Sequence, residues 1–305
     1  MNILVTGGAG FIGSHIVDAL VESGCRVAVV DDLSTGKFEH VNPGVNFYKV
    51  TVQEPDFKEV VAREKPGAVI HLAAQADVQH SLQEPQADAV INILGMINLL
   101  EACRRHNVGK VVYASSAAVY GSPLYLPVDE NHPLAPQSPY GVSKLTPEHY
   151  LRIYRDLYGI GYTILRYANV YGPRQDATGE GGVVAIFTDK LLKGEKPFIF
   201  GDGGQTRDFI YVKDVAAANL AALRRAEGIT LNVSTGCGLS VNRLFTMIKK
   251  ATGSGLEPVY RPPRPGDISH SYLSNEKARG LLGWAPRRSL EEGLSETVEF
   301  YKGNS

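Results

Sequence analysis

The feature that most constrains the fold is a glycine-rich stretch, GGAGFIG, which lies between an apolar segment and an amphipathic one. Residues 2–6 (NILVT) form a short apolar run, and residues 11–23 repeat apolar side chains at helical spacing. Residues 26–31 (RVAVVD) again have the pattern of a buried strand. This order predicts a strand, a tight turn at Gly7–Gly13, a helix, and a second strand parallel to the first.

The same alternation continues through the first half of the chain. Further strands are predicted at 46–50, 67–73, 110–116 and 162–168, and helices at 55–64, 84–106 and 140–158. Strands that alternate with helices in this way form a parallel sheet with helices on both faces. We therefore predict an α/β fold with a doubly wound parallel (Rossmann) sheet.

The pattern changes after about residue 169. Polar, glycine-rich loops now separate two short strands within 197–212 from helices at 183–193, 213–226 and 240–252. No linker divides the chain, so we expect the second half to pack on the sheet as a smaller C-terminal α/β cap that binds substrate. The predicted division is a sheet domain at 1–168, to which residues at about 208–235 return, and a mainly substrate-binding domain at 169–305.

The composition excludes several classes of protein. The chain has 305 residues and a formal net charge of −1, so its overall charge attracts neither nucleic acid nor a membrane surface. No apolar run approaches the ~18 residues of a membrane span, and the N-terminus lacks the basic segment of a signal peptide. Cys25, Cys103 and Cys237 are odd in number and widely spaced, which indicates reduced thiols and a cytoplasmic protein. The eight histidines show no metal-binding spacing, so we expect no metal.

The glycine-rich turn has the spacing of a dinucleotide-binding signature. Glycines allow a pyrophosphate to approach the N-terminus of the following helix closely. Asp31 ends the second strand, where its carboxylate can accept hydrogen bonds from ribose hydroxyls, and Asp32 supports the same loop. A 2′-phosphate would be repelled by this carboxylate, so we predict NAD rather than NADP.

A second motif, SPYGVSK, places Tyr140 and Lys144 one helical turn apart. Tyrosine has a pKa near 10 and is a weak base in water. A neighbouring ammonium and an oxidised nicotinamide would stabilise the phenolate and lower that pKa. Ser115 and Ser116 end the strand at 110–116, where a hydroxyl can bridge a substrate hydroxyl and the tyrosine. The pattern indicates a proton-transfer site beside NAD.

Pro147 lies within the helix that carries this motif. Proline removes one helical hydrogen bond and clashes with the preceding turn, so we predict a kink or a late helix start near residue 143. On the preceding helix, Leu99, Leu100 and Ala102 fit either a subunit contact or the core under the sheet, and periodicity does not decide between them.

The motifs TGGAGFIG, DDLSTG, HLAAQ, SSAAVYG, SPYGVSK and LRYANVYGPRQ occur in that order, and together they resemble the extended short-chain dehydrogenase/reductase family. Within it, the chain is similar to nucleotide-sugar epimerases that invert C4 of UDP-glucose and UDP-galactose. The resemblance implies an isomerase with tightly bound NAD, a transient 4-keto sugar, a UDP-sugar substrate and a homodimer formed by the helices near 84–106 and 140–158.

The resemblance also implies roles for individual residues. The catalytic residues would be Ser116, Tyr140 and Lys144. The NAD-binding residues would be Gly7, Gly10, Phe11, Ile12, Gly13, Asp31, Asp32, Thr51, Val52, Leu72, Ala73, Ala74, Tyr140 and Lys144. The substrate would contact Ser116, Tyr140, Asn169, Arg207, Arg264, Asp267 and Ser271, with the two arginines binding its diphosphate.

Several positions bear on the subtype. Ala117 and Ala118 replace the acid and base of nucleotide-sugar dehydratases and the glutamate of UDP-glucuronate decarboxylases, and alanine cannot transfer protons. Asp176 would repel a sugar carboxylate, which favours a neutral sugar over UDP-glucuronate. Ser271 occupies a position where a bulky tyrosine can restrict members to unacetylated hexoses, so UDP-GlcNAc and UDP-GalNAc stay open as substrates.

Two other interpretations also stay open. A 4-ketoreductase or dehydrogenase of the same family would consume added cofactor, and a nucleotide sensor would be expected to lose one of the catalytic residues. One departure from the family concerns Thr51, because an aspartate usually stands near adenine at this point. A neutral threonine predicts weaker adenine binding or a contact through the backbone.

Overall fold

The computed structural model describes residues 1–177, 182–263 and 268–303. Its strands are β1 (Asn2–Thr6), β2 (Arg26–Val30), β3 (Asn46–Tyr48), β4 (Ala68–His71), β5 (Lys110–Ser116), β6 (Gly161–Tyr167), β7 (Asn169–Tyr171), β8 (Phe198–Phe200), β9 (Thr206–Arg207), β10 (Phe209–Tyr211), β11 (Ile229–Val233), β12 (Leu239–Ser240) and β13 (Val259–Arg261).

The helices alternate with these strands in the first half and group together in the second. They are α1 (Phe11–Glu22), α2 (Asp56–Glu64), α3 (Val78–Gln83), α4 (Pro85–Ala89), α5 (Gly95–Arg105), α6 (Pro139–Tyr158), α7 (Val183–Leu192), α8 (Val212–Arg224), α9 (Val241–Thr252), α10 (Glu276–Leu282) and α11 (Leu290–Gly303). A π-helical turn at Val90–Leu94 joins α4 to α5, and short 3₁₀ turns lie at Phe38–His40 and Ala117–Val119.

Seven strands form one sheet in the order β11-β6-β5-β4-β1-β2-β3, and every neighbouring pair is parallel. The chain runs outward from β1 to β3, and then returns to β4 and runs outward in the other direction. The strand order therefore reverses between β1 and β4. Ligands of such sheets bind at this point, outside the carboxyl ends of the strands. The predicted doubly wound parallel sheet is confirmed.

Helices cover both faces of this sheet. Successive side chains of a strand point to opposite faces, so Ile3 and Val5 of β1 join the core under α1 and α8, while Leu4 joins the core under α2 and α5. Leu99, Leu100 and Ala102 are fully buried in this second core. These three residues therefore belong to the sheet-facing core.

A third apolar core lies in the second half of the chain, between α7, α9, α11 and the paired strands β7 and β10. Phe187 and Phe245 meet edge to face at its centre, with ring centroids 5.8 Å apart. Phe11 and Ile12, the first residues of α1, pack against the same core. The smaller α/β cap is thus held beside the glycine-rich turn. After α7 and β8–β10 the chain returns to the central sheet, where β11 forms the edge strand beside β6.

Helix α6 begins at Pro139, which agrees with the helix predicted at 140–158. The alternative of a late start near residue 143 is wrong, and a kink at Pro147 stays a prediction. Ser138 is the N-cap, and its hydroxyl accepts a hydrogen bond of 3.1 Å from the Gly141 N–H. Proline is favoured at the first helical position because its φ is already helical and its missing donor would be unpaired there. These two signals outweigh Pro147, which the helix accommodates in its interior.

No helix among the described residues is long and apolar enough to cross a membrane. In the same residues, no group of three or more histidine, cysteine, aspartate or glutamate side chains is arranged to hold a metal ion.

Candidate active site

The turn after β1 is held by backbone contacts that admit only glycine at two positions. Gly7 has a φ of +71°, and its N–H donates to the Val30 carbonyl at 2.8 Å. A Cβ on Gly13 would lie 2.0 Å from the Gly7 carbonyl oxygen, which no side chain can meet. Gly10 is the N-cap of α1 and supplies no side-chain hydrogen bond. The first N–H groups of α1 therefore stay available to an anion such as a pyrophosphate.

Asp31 follows β2 and lies over this turn. Its carboxylate accepts hydrogen bonds of 2.9 Å from the N–H groups of Ala9 and Leu33, and burial raises its pKa. Asp32 points instead into its own loop, where it accepts from the Ser34 hydroxyl at 2.6 Å. Asp31 is thus the carboxylate that lies next to the glycine-rich turn.

The loops after β3 and β4 complete the crevice. The Thr51 hydroxyl is buried and has no hydrogen-bond partner within the described chain, while Val52 is part of the core. An orphaned buried hydroxyl of this kind fits a ring nitrogen or amino group of a bound nucleotide. Ala73 donates to the Thr6 carbonyl at 3.2 Å, which brings the segment Leu72–Ala74 onto Gly7. The residues present therefore fit a dinucleotide.

Ser116, Tyr140 and Lys144 lie at the same edge of the sheet, at the end of β5 and the start of α6. Ser115 is buried and faces away from the crevice, whereas Ser116 is half-buried and hydrogen-bonds to Tyr140. Burial raises the pKa of Tyr140, and the hydrogen bond from Ser116 acts in the opposite direction. The groups of the chain thus raise the pKa of Tyr140 on balance, so Lys144 does not by itself produce the depressed value that the sequence suggested.

Lys144 is almost fully buried, with its ammonium 4.8 Å from the centre of the Tyr113 ring. Burial lowers the pKa of Lys144 to about 8, and the carboxylates of Asp88 and Glu148 oppose this fall. The two carboxylates thus favour the ammonium form of Lys144, which lies one helical turn from Tyr140.

Three predicted substrate residues lie on the cap side. Asn169 is exposed at the start of β7, directly after β6 ends. Arg207 is half-buried and donates to the Thr206 carbonyl at 2.9 Å, and the Ser271 N–H donates to the same carbonyl at 3.1 Å. The structure thus brings Arg207 and Ser271 together at Thr206. Arg264 and Asp267 lie outside the described residues.

Other buried polar residues were missed by the sequence reasoning. Asp208 accepts hydrogen bonds from Thr235, Gly236 and Leu273, and so fixes the loops around Arg207. The only signal in the sequence for a role of Asp208 near the site was its position directly after Arg207.

Asn92 lies in the π-helical turn, and its side-chain amide accepts a hydrogen bond from the Gln75 N–H and donates to the Gln75 carbonyl. It also donates to the Ser143 hydroxyl on α6. Glu148 is fully buried, one helical turn beyond Lys144. This spacing was the only signal in the sequence that placed Glu148 near the site.

Comparisons with known proteins agree with this geometry. Residues 3–234 match the model of the NAD-dependent epimerase/dehydratase family. The crystal structure of UDP-glucose 4-epimerase from Thermotoga maritima with UDP-glucose is 48% identical, with a TM-score of 0.98 over 100% of this chain and 99% of that one.

Two further solved structures match over their full length. The Thermus thermophilus UDP-glucose 4-epimerase in complex with NAD is 44% identical, with a TM-score of 0.95 over 100% of both chains. A UDP-N-acetylglucosamine 4-epimerase from Methanobrevibacter ruminantium, in complex with UDP-N-acetylmuramic acid, is 38% identical, with a TM-score of 0.95 over 100% of this chain and 99% of that one.

Proposed function

The chain belongs to the NAD-dependent epimerase/dehydratase family, and on that premise we propose that it interconverts UDP-glucose and UDP-galactose by inverting C4. Ser116 at the end of β5 hydrogen-bonds to Tyr140 of α6, one turn before Lys144, at the same edge of the parallel sheet as the glycine-rich turn after β1. This arrangement, in a chain that matches 4-epimerases over its full length, is the observation that carries the proposal. The enzyme is an isomerase and its cofactor is NAD.

The chain's residues handle the proton and the orientation of the sugar. Tyr140 takes the proton of the 4-hydroxyl and returns it, and Ser116 bridges the sugar hydroxyl and the Tyr140 hydroxyl. Lys144 keeps its charge beside them and binds the nicotinamide ribose. A bound NAD, held by the glycine-rich turn and Lys144, would supply a hydride acceptor and donor for C4 of the sugar, so no external redox partner would be consumed.

The cofactor and the substrate occupy opposite sides of the crevice in this proposal. Gly7, Gly10, Gly13 and Asp31 bind the pyrophosphate and a ribose, and the loops at 51–52 and 72–74 flank the nucleotide. On the other side, Asn169, Arg207, Arg264, Asp267 and Ser271 bind the UDP-sugar. We retain the division into an NAD-binding part at 1–168, with about 208–235, and a mainly substrate-binding part at 169–305.

The side chains near the sugar favour a neutral hexose. Ala117 and Ala118, half-buried after β5, cannot supply the acid and base that loss of water requires. Asp176 would oppose the carboxylate of UDP-glucuronate. Ser271 leaves room for an acetamido group, and the similarity to a UDP-N-acetylglucosamine 4-epimerase supports the acetylated sugars as further substrates.

A homodimer formed by α5 and α6 is part of the proposal. Val90 and Leu94 are exposed before α5, and Val142, Ile153 and Leu157 are exposed on α6. Leu157→Glu is expected to dissociate the dimer, as measured by light scattering. Leu281→Glu, at an exposed leucine on α10, is the matched control and should leave the mass unchanged.

We also propose that the protein works in the cytoplasm. Cys25, Cys103 and Cys237 are all free thiols, which is typical of a reducing compartment.

The test is to incubate the purified protein, without added cofactor, with UDP-galactose, UDP-GalNAc and UDP-galacturonate separately and to resolve the C4 epimers by chromatography or NMR. Formation of UDP-glucose is expected, whereas Tyr140→Phe should retain NAD and lose activity by at least about a hundredfold. Absence of conversion in a folded, NAD-containing protein would overturn the proposal. Net consumption of added NAD(P)H would instead identify a ketoreductase or dehydrogenase.

A further inference from the structure

We propose that Glu148 is a positioning residue that locks α6 against β5 and thereby sets the geometry of Ser116, Tyr140 and Lys144. The inference rests on the proposed function and extends it to a residue that does not touch the substrate.

Glu148 joins the two elements that carry the catalytic residues. Its Oε1 accepts a hydrogen bond of 2.7 Å from the Ser115 hydroxyl, and Ser115 directly precedes Ser116 on β5. On α6, Glu148 lies one turn beyond Lys144, on the same side of the helix. Glu148 therefore ties the helix bearing Tyr140 and Lys144 to the strand bearing Ser116, through one buried carboxylate.

Arg166 of β6 holds this carboxylate in a fixed orientation. Its Nε donates to Oε1 at 3.0 Å and its Nη2 to Oε2 at 2.6 Å, which is the bidentate arrangement. The Nη1 of Arg166 donates to the Tyr120 hydroxyl at 2.9 Å, and that hydroxyl donates to Asn232 of β11 at 2.7 Å. Because its carboxylate is held by β5 and β6, Glu148 restricts movement of α6 relative to these strands.

The same pair offers little as a source of stability. Glu148 is fully buried and Arg166 is 2% exposed. Removing two charges from water costs about as much as their attraction returns, and buried ion pairs are often replaced by apolar residues without loss of stability. A role in fixing geometry accounts better for this pair than a role in holding the fold together.

The sequence of α6 gives a reason for an external tie at this turn. Pro147 has no N–H, so the helix lacks one backbone hydrogen bond directly before Glu148. The turn that joins Lys144 to Glu148 is therefore weaker than a regular helical turn. The contacts of Glu148 with Ser115 and Arg166 support the helix where its own hydrogen bonding is interrupted.

The first test removes the tie without changing charge. Ser115→Ala deletes the hydroxyl that reaches Glu148, and its matched control is Thr163→Val on β6, which deletes a buried hydroxyl bonded to the Ala226 carbonyl at 2.7 Å. Both variants should fold. Ser115→Ala is expected to lower kcat about tenfold with KM within about twofold, whereas Thr163→Val should leave both constants unchanged.

The second test removes the ion pair as a unit. Glu148→Met/Arg166→Met leaves the net charge unchanged and the volume similar, and Arg152, which also lies 3.5 Å from the Glu148 carboxylate, is part-exposed and can turn to solvent. The variant is therefore expected to keep the thermal midpoint of the wild type, yet to lose about a hundredfold in kcat. If this variant does not fold, the Ser115→Ala comparison decides alone. Wild-type kcat in Ser115→Ala, or in a folded double variant, overturns the proposal.

A readout that needs no substrate separates this inference from the proposed function. The ionisation of Tyr140 in the NAD-loaded enzyme can be followed by tyrosinate difference absorbance against Tyr140→Phe. Loss of the tie should weaken the hydrogen bond from Ser116 and raise the apparent pKa of Tyr140 in Ser115→Ala but not in Thr163→Val. An inactive wild type in which this shift is present would refute the epimerase and retain the tie. An unchanged ionisation in both variants would refute the tie.

Discussion

The two sides of the crevice are built on different principles. The proposed cofactor side is backbone packed against backbone, with Gly7 and Gly13 so close that a Cβ on Gly13 would overlap the Gly7 carbonyl oxygen. The proposed substrate side consists of side chains and backbone from separate loops, such as Arg207 and Ser271, which meet at the Thr206 carbonyl. Close backbone packing excludes any larger residue at these glycines, whereas side chains on loops can be exchanged and so change specificity while the fold is kept.

Gly13→Ala should have the largest effect, a loss of bound NAD, because it adds a side chain where backbone packs against backbone. Its Cβ would lie 2.0 Å from the Gly7 carbonyl oxygen, so the turn has to open and the N-terminus of α1 moves away from the pyrophosphate. The expected result is a purified protein with less than about a tenth of the wild-type NAD content, measured after acid release. Gly280→Ala in α10, where a Cβ meets no atom within 4 Å, is the control.

Asp31→Asn should have the next largest effect, and should change selectivity rather than retention. Removing the negative charge is expected to narrow the preference for NAD over NADP by about ten- to a hundredfold, in competition titrations of the apoprotein. Asp32→Asn should have the smaller effect because Asp32 bonds to Ser34 in its own loop. An unchanged preference in Asp31→Asn would mean that the ribose is recognised elsewhere.

Ser271→Tyr tests whether the substrate side can change independently of the cofactor side. Turnover of UDP-GalNAc is expected to fall by at least about tenfold, because the larger side chain takes the space of the acetamido group. Turnover of UDP-galactose and the NAD content should stay within about twofold. Equal losses for both sugars would show that Ser271 supports the loop rather than selecting the sugar, and Ser271→Ala serves as the control.

The smallest expected effect is the pH dependence of stability that His15 contributes. This residue links α1, at the glycine-rich turn, to the loop after β7. It lies on α1, its Nε2–H donates to the Pro173 carbonyl at 2.9 Å, and burial lowers its pKa to about 4. The unfolded chain, with a histidine pKa near 6.5, binds a proton that the folded chain does not, so stability falls as pH drops from about 6.5 towards 4.

His15→Gln replaces the ring N–H donor with an amide N–H donor and removes the titratable group. Between pH 7 and pH 5 the wild type should lose about 2 kcal/mol more of its unfolding free energy than this variant, in urea titrations. His71, whose pKa burial lowers to about 3, contributes equally to both proteins and cancels in the comparison. Equal losses in the two proteins would mean that His15 is accessible to protons in the folded state.

The difference between the sides also explains what the sequence could predict. The glycine turn, Asp31 and the Tyr140–Lys144 spacing are local patterns whose meaning follows from nearby backbone geometry, and the predicted fold and family are confirmed. The alternative of a late start of α6 near residue 143 was wrong because Pro147 was considered without the N-cap that Ser138 provides. The Glu148–Arg166 pair depends on a helix and a strand meeting in space, which local spacing does not specify.

The position of β11 and α8 has a consequence for synthesis of the chain. α8 packs on α1, and β11 is the neighbour of β6 at the edge of the sheet. At usual rates of translation, α8 leaves the ribosome roughly ten to forty seconds after α1. During that time the nascent chain exposes an uncovered helix face, and later an unpaired strand edge, which are surfaces prone to aggregation. The glycine-rich turn is made before the layer that supports it, and that layer is complete only after α8 and β11 have been translated.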